Sequence, residues 1–201
     1  MSTEPGPRAG VLALQGGFAA HAETLGRLGA VAVEVRRCRD LDGLAGLVLP
    51  GAESSTLLNL MRDEPWFEAL RAFHAEGGVL FGTCAGAILL SREVRAPAQP
   101  SLALLDVVIE RNAYGRQVES FEEPLEGDFD PPLPAVFIRA PRFRYLAPGV
   151  QVLARRQGEP VLVRQGRVLA ATFHPELTDD TRVHALFLEA AAGRRRQEQS
   201  A

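Results

Sequence analysis

The chain has 201 residues, of which 46% are apolar and 23% charged, the proportions of one globular domain long enough to bury its own core. No stretch approaches the ~20 consecutive apolar residues of a membrane span. Lys plus Arg number 22 against 25 Asp plus Glu, so no positive field exists to attract nucleic acid or an anionic membrane.

The first ten residues, MSTEPGPRAG, are polar with two prolines and carry no apolar signal core. Residues 1–9 are read as a flexible leader, and the expected compartment is the cytoplasm. From there, short apolar runs alternate with helical patterns. GVLAL (10–14), VAVEV (31–35), GLVLP (46–50) and GVLF (78–81) have the character of buried strands. Between them, residues 18–29 place Phe18, Ala22, Leu25 and Leu28 at helical spacing before a glycine stop, and Pro65 opens a second helix carrying Trp66, Leu70 and Phe73. Strand–helix repeats of this length predict an α/β three-layer sandwich, with a mostly parallel central sheet and helices on both faces. Functional loops should then lie at the carboxyl ends of the strands.

The second half changes character. LLDVVIERNA, AVFIRAP, VQVLARR, PVLVRQG and RVLAATF are strand-like, broken by Pro and Gly with little helix between, which predicts antiparallel additions. Residues 121–134, FEEPLEGDFDPPLP, are acidic and proline-rich and are expected as an exposed loop, a lid or a plain connection. A last helix follows in TDDTRVHALFLEAAAG, with Val183, Leu186 and Phe187 as its apolar stripe and Gly193 as its stop, leaving residues 194–201 as a polar tail. The whole chain is one domain.

Three segments carry candidate chemistry. In GVLFGTCAGAILL a buried strand runs into Gly82, Thr83, Cys84, Ala85, Gly86 and then a helical apolar stretch. Small residues two before and two after Cys84 permit the tight strand-to-helix turn of a nucleophile elbow. An isolated cysteine in an apolar setting is ordinarily core filler, but the paired glycines after a strand reverse that reading. A thiol at a helix amino end beside a histidine is an effective nucleophile near neutral pH. In LAATFHPEL a strand ends at His174 and Glu176; alternation points both side chains the same way if the chain stays extended, which suits a base and the group that orients it. In LVLPGAESST a strand leads through a Pro-Gly turn to a helix that Ser54 or Ser55 would cap. An amide of this loop, with that of Ala85, suits an oxyanion hole.

The remaining candidates are weaker. His21, His74 and His184 fall in predicted helices without a matched partner and are read as surface or packing residues. Cys38, between two arginines, is incidental, though its neighbours would make it somewhat acidic. No metal-ligand spacing occurs, no GxxxxGK[ST] loop is present, and neither metal nor cofactor is indicated.

Taken together, GVLALQGGFAAH, LPGAESSTL, GTCAG, RNAYGRQVESFE, FIRAP and FHPEL resemble the glutaminase subunit of pyridoxal 5'-phosphate synthase, a class I glutamine amidotransferase, over residues 10 to about 190. GxCxG and HPE are shared by many amidotransferases; LQG, RNAYGRQ with SFE, and FIRAP point to this family. The resemblance implies a Cys84, His174, Glu176 triad hydrolysing L-glutamine. Substrate contacts would come from Ala52, Glu53 and Ser54, from Arg111, and from Ile138 with Arg139, and the oxyanion hole from the backbone at Ala52 and Ala85. An arginine fork is suited to the α-carboxylate of glutamine. Also implied is a partner, the barrel-shaped synthase subunit with a dodecameric core, with residues near Gln15 as interface elements. The sequence departs from the family at Ala52, where the loop usually has a second glycine; a Cβ there disfavours positive φ and narrows the available backbone states. Other readings of the same residues are a glutaminase for a different ammonia acceptor, against which RNAYGRQ and FIRAP argue, and a non-catalytic module of the same fold.

Overall fold

The computed structural model describes residues 6–111, 113 and 121–198, with the side chains of 194–198 left aside. Most of the RNAYGRQ segment therefore lies outside the described residues, as do residues 1–5 of the leader and 199–201 of the tail.

The chain runs β1 (Arg8–Leu12), α1 (Phe18–Arg27), β2 (Val31–Val35), β3 (Gly46–Leu49), α2 (Ser54–Leu60), α3 (Trp66–Ala75), β4 (Val79–Thr83), α4 (Ala85–Leu90), β5 (Ser91–Arg95), β6 (Leu105–Glu110), β7 (Phe121–Pro124), β8 (Glu126–Gly127), β9 (Pro134–Phe137), β10 (Arg142–Leu146), β11 (Gln151–Arg156), β12 (Glu159–Gln165), β13 (Val168–Ala171) and α5 (Arg182–Glu198). Eight strands form the central sheet in the order β2-β1-β3-β4-β13-β12-β11-β8. The pairings from β2 to β13 are parallel and those beyond β13 antiparallel, so the expected mixed α/β sheet is the one found.

Side-chain alternation along these strands splits the core into two halves. Leu12, Leu47, Leu49, Leu80 and Ala170 face a layer containing α2, α3, α4 and a small sheet of β10-β6-β5. Val11, Val48, Phe81, Leu169 and Ala171 face α1, α5 and the β7-β9 ribbon. Each fully buried Leu or Phe contributes roughly 1.5–3 kcal/mol of hydrophobic stabilisation. Contact is close enough that a Cβ on Gly46 would lie 2.7 Å from the Phe187 ring of α5.

Several expectations are corrected. The leader is shorter, because Arg8 and Ala9 already pair with β2. Residues 121–134 are not a simple exposed loop: β7 pairs with β9, β8 closes the edge of the central sheet, and Leu125 and Leu133 are buried anchors. The helix after Cys84 is brief, since Ser91 turns the chain directly into β5 with its hydroxyl donating to the Ile88 carbonyl at 2.8 Å. α5 continues past Gly193 to Glu198, so that glycine does not end it. Among the described residues no helix is long and apolar enough to cross a membrane.

Candidate active site

The loops following β1, β3, β4 and β13, all parallel neighbours, open at one edge of the sheet, the place where α/β folds present ligand-binding residues. Cys84 sits between β4 and α4 with φ 48° and ψ −101°, a conformation a non-glycine residue rarely adopts, and its amide donates to the Ala171 carbonyl at 2.9 Å. The flanking glycines are steric necessities. A Cβ at Gly82 would lie 2.5 Å from the Gly86 carbonyl carbon, and one at Gly86 would lie 1.9 Å from the Leu49 carbonyl oxygen. Gly51 meets the same demand from the next loop, since a Cβ there would fall 2.4 Å from His174 Cε1.

His174 is anchored by its amide to the Val136 carbonyl at 2.8 Å and places Nδ1 2.8 Å from Glu176 Oε1. Pro175–Leu177 form a 3₁₀ turn, so a turn, and not the expected extended chain, brings the two side chains together. Burial alone would discourage charge on His174, but hydrogen bonding with the Cys84 thiol and with Glu176 outweighs it and raises the imidazole to about 10. Glu176 is likewise buried; the hydrogen bond from His174 and the neighbouring imidazoles overcome that and hold its carboxyl below the usual range.

Ala52, Glu53, Ser54, Cys84, Ile88, Arg111, Ile138, Arg139, Pro141 and His174 line one cavity of about 140 Å³. That is well below the ~300–1,000 Å³ of pockets for drug-sized ligands and suits a molecule of amino-acid size. The six residues expected at the substrate thus share a wall with the thiol and the imidazole. Arg139 has φ 43°, another strained residue at the rim. A larger groove of about 640 Å³ lies alongside, sharing Arg111, but its lining holds neither a cysteine nor a histidine.

Glu53, and not Ser54 or Ser55, caps α2: its carboxylate accepts from the Ser55 and Thr56 amides. Desolvation works against its charge, but these amides and the two hydroxyls prevail and bring it down to about 2. Arg111 Nη2 donates to Glu53 Oε1 at 3.3 Å and to the Ser55 hydroxyl at 3.0 Å, so the cavity's guanidinium is held in place from below. Gln15 donates to the Glu53 carbonyl at 2.7 Å, and Gly16, at φ 79°, would press a Cβ to 2.1 Å from the Gly51 carbonyl oxygen. The LQGG loop therefore supports the cavity loop. The Gly51 amide is committed to Thr83 Oγ1 at 2.9 Å. Of the amides anticipated for an oxyanion hole, Ala52 lines the cavity and Ala85 heads α4, where first-turn amides have no partner within the helix. Neither Gly51 nor Ala52 has a positive φ.

Residues 11–192 match the SNO glutamine amidotransferase family. The chain belongs to that family. It is 58% identical over 184 residues to the pyridoxal 5'-phosphate synthase subunit PdxT of Thermus thermophilus, covering 90% of this chain and 96% of that protein. Identity is 52% over 191 residues with the protein of the same name from Deinococcus radiodurans, covering 92% and 97%. A crystal structure described as a glutamine amidotransferase superposes with a TM-score of 0.86 at 54% identity over 92% of this chain and 98% of that one. PurLQS from Thermotoga maritima, at 17% identity and a TM-score of 0.66 over 92% and 98%, shares the fold alone.

Against this family, the other histidines and Cys38 separate. His74 is half-buried, with Nδ1 3.1 Å from the Gly78 carbonyl, and serves packing. Of surface and packing, burial selects packing for His21 and His184, but they do not lack a partner: both are fully buried and lie 2.8 Å apart. Their partners are 163 positions apart in sequence, so no local pattern reveals them. Cys38 is not acidic; burial and the Glu64 carboxylate beside it push the thiol up to about 11. Among the described residues no cluster of His, Cys, Asp and Glu could hold a metal ion.

Proposed function

We propose that this chain is the glutaminase subunit of a pyridoxal 5'-phosphate synthase, hydrolysing L-glutamine to L-glutamate and ammonia through Cys84, His174 and Glu176. The observation that carries the reading is one small cavity lined by an elbow cysteine, a histidine bonded to a buried glutamate, and an anchored arginine. The family membership and the relatives named PdxT support it.

In this mechanism the thiol proton passes to His174, which holds it as an imidazolium, and Cys84 Sγ attacks the side-chain carbonyl carbon of glutamine. The amides of Ala52 and Ala85 stabilise the oxyanion. His174 then returns the proton to the departing nitrogen, so the C–N bond breaks to give ammonia and a thioester on Cys84. Water, activated by the same imidazole, splits the thioester to glutamate and free thiol. Glu176 fixes the imidazole tautomer and stabilises its protonated form. Arg111 and Arg139 suit the α-carboxylate, with Glu53, Ser54 and Ile138 completing the pocket. Ammonia passes to the synthase partner, a barrel protein with a dodecameric core, across a face that includes the loop at Gln15. A cytoplasmic setting suits a reaction that needs a free thiol, and both Cys38 and Cys84 are free.

Glutamine hydrolysis by the chain alone and with a candidate synthase subunit tests this. Stimulation by the partner that vanishes in Cys84→Ala is the expected result. Hydrolysis that the partner does not change would keep the amidotransferase and remove the assignment to pyridoxal phosphate synthesis. Hydrolysis that survives Cys84→Ala would reject the triad.

A further inference from the structure

Behind the triad lie two histidines that the proposed mechanism does not use. His21 of α1 and His184 of α5 are both 0% exposed, and each ring stands edge-on to Phe81 of β4, at 6.3 and 5.7 Å between centroids. His21 Nδ1 is 2.8 Å from His184 Nε2. The other ring nitrogen, His21 Nε2, is 3.3 Å from Glu176 Oε2 and 3.3 Å from Thr83 Oγ1. Oε2 is the carboxylate oxygen that His174 leaves free, and it is buried without an aligned hydrogen bond of its own.

We infer that His21, held in its Nε2–H tautomer by a hydrogen bond from His184, is a positioning residue that keeps the Glu176 carboxylate seated against His174. The tautomer follows from electrostatics. A bare lone pair 3.3 Å from a carboxylate oxygen is repelled, whereas an N–H is attracted, so Nε2 carries the proton and divides it between Oε2 and Thr83 Oγ1. Nδ1 is then an acceptor, and the 2.8 Å contact requires His184 Nε2 to donate. This leaves His184 Nδ1 as a buried lone pair without a partner. The opposite assignment would leave a buried N–H there, and orphaned N–H groups are the rarer and costlier defect.

The relay thus has one direction, from His184 through His21 to Glu176 and His174. Other contacts fix its ends. Thr83 Oγ1 also accepts the Gly51 amide at 2.9 Å, tying the relay to the cavity loop. A Cβ at Gly17 would lie 3.3 Å from Glu176 Oε1, so the start of α1 rests on the carboxylate, where the helix dipole favours negative charge. Burial brings His21 down to about 4, against the pull of Glu176 and with His174 adding to it. Burial, His21 and the more distant Arg27 bring His184 to about 3 against Glu176. Both rings are neutral at pH 7, and the charge of Glu176 is reserved for His174.

The proposal rests on the glutaminase reading, and its test has an arm that does not. In steady-state hydrolysis by the full chain, His21→Leu lowers kcat roughly tenfold, the effect of removing an N–H placed 3.3 Å from a buried carboxylate oxygen, with KM changed less than about threefold. His21→Gln, whose amide can donate to the same oxygen, recovers most of the loss. A purely structural role would lower the melting temperature, leave kcat per folded molecule intact and give Gln no advantage over Leu; either an unchanged kcat or a failed rescue overturns the inference. The second arm is ¹⁵N NMR of histidine-labelled wild type at pH 7, which needs neither a folded variant nor activity. Both rings neutral with the proton on Nε2 is expected; His21 protonated on Nδ1 or on both nitrogens overturns the inference. If the wild type hydrolyses no glutamine, the glutaminase reading fails while the NMR result still decides the tautomer.

Discussion

On the β4–α4 side of the cavity, position is set by backbones in contact: Gly82 against Gly86, Gly86 against Leu49, and a cysteine in a conformation its own side chain disfavours. On the β13 side, position is set by polar groups inside the protein, running from His184 and His21 through Glu176 to His174. The first arrangement is steric and nearly all-or-none, because a carbonyl oxygen 1.9 Å from a new Cβ cannot give way without moving β3. The second is graded, since each link adjusts an orientation or a charge by the worth of one hydrogen bond. The proposed nucleophile is therefore expected to fail with the fold, and the proposed base to fail while the fold persists.

The most severe break in this contrast is Gly86→Ala. The added methyl meets the Leu49 carbonyl, and overpacking of this kind costs about 3 kcal/mol or more. Thermal melting should fall by at least about 6 °C, with activity lost in proportion to folded protein. A variant that melts normally and is inactive would mean that the glycine serves chemistry and not backbone packing.

Glu176→Gln probes the other side. The replacement is nearly isosteric, so the fold should persist, but a glutamine amide can donate to His174 Nδ1 and thereby place the imidazole proton on the nitrogen facing Cys84. Loss of the correct tautomer lowers kcat by roughly 10²–10⁴-fold in triads of this type. Circular dichroism and kcat together check it: a misfolded Glu176→Gln would erase the distinction between the two halves, and an undiminished kcat would remove Glu176 from the proposed triad.

The same contrast explains what could be read from sequence. Gly82, Cys84 and Gly86 act on one another within five residues, so GTCAG displays the steric half directly. His174 and Glu176 are two positions apart and were also legible, although a 3₁₀ turn does what alternation was expected to do. The proposed substrate residues come from three separate loops, and only resemblance gathers Ala52, Glu53, Ser54, Arg111, Ile138 and Arg139 into one group. The capping role of Glu53 was hidden by the two serines after it, which are better caps on average. His21 and His184 read as surface or packing residues without a partner because helical periodicity shows which face is apolar, not which distant helix completes it. β8 and β10 carry little pattern of their own because they are short edge strands, while the parallel strands β1, β3 and β4, buried on both faces, announce themselves as apolar runs.

The gentlest effect separates the halves by pH. In an unfolded chain His21 and His184 titrate near 6.5, whereas folding brings them to about 4 and about 3. Below pH 6.5 the unfolded state binds more protons, so stability rises with pH, is fully present above about 6.5, and is lost as pH falls toward the folded values. Each buried imidazole can account for about 2 kcal/mol between pH 6.5 and 5. Carboxyls held low by folding, Glu53, Glu176 and Asp180 among them, add losses of the same sign only near and below their ordinary values, from 4.5 down, and His174, raised to about 10, adds stability below 6.5 that is lost as pH rises, in both proteins alike. His74, half-buried and also lowered, contributes in the histidine window but is untouched by changes at α5. Urea unfolding at pH 8, 6 and 5 should therefore show His184→Gln losing less stability on acidification than wild type, by up to one proton's worth of slope. The glutamine amide can still donate to His21 Nδ1, so stability at pH 8 should differ by no more than about 1 kcal/mol. Parallel acid losses in the two proteins would mean that His184 is not neutralised by burial, and the polar half of the site would then be held by charge where neutral hydrogen bonds are expected.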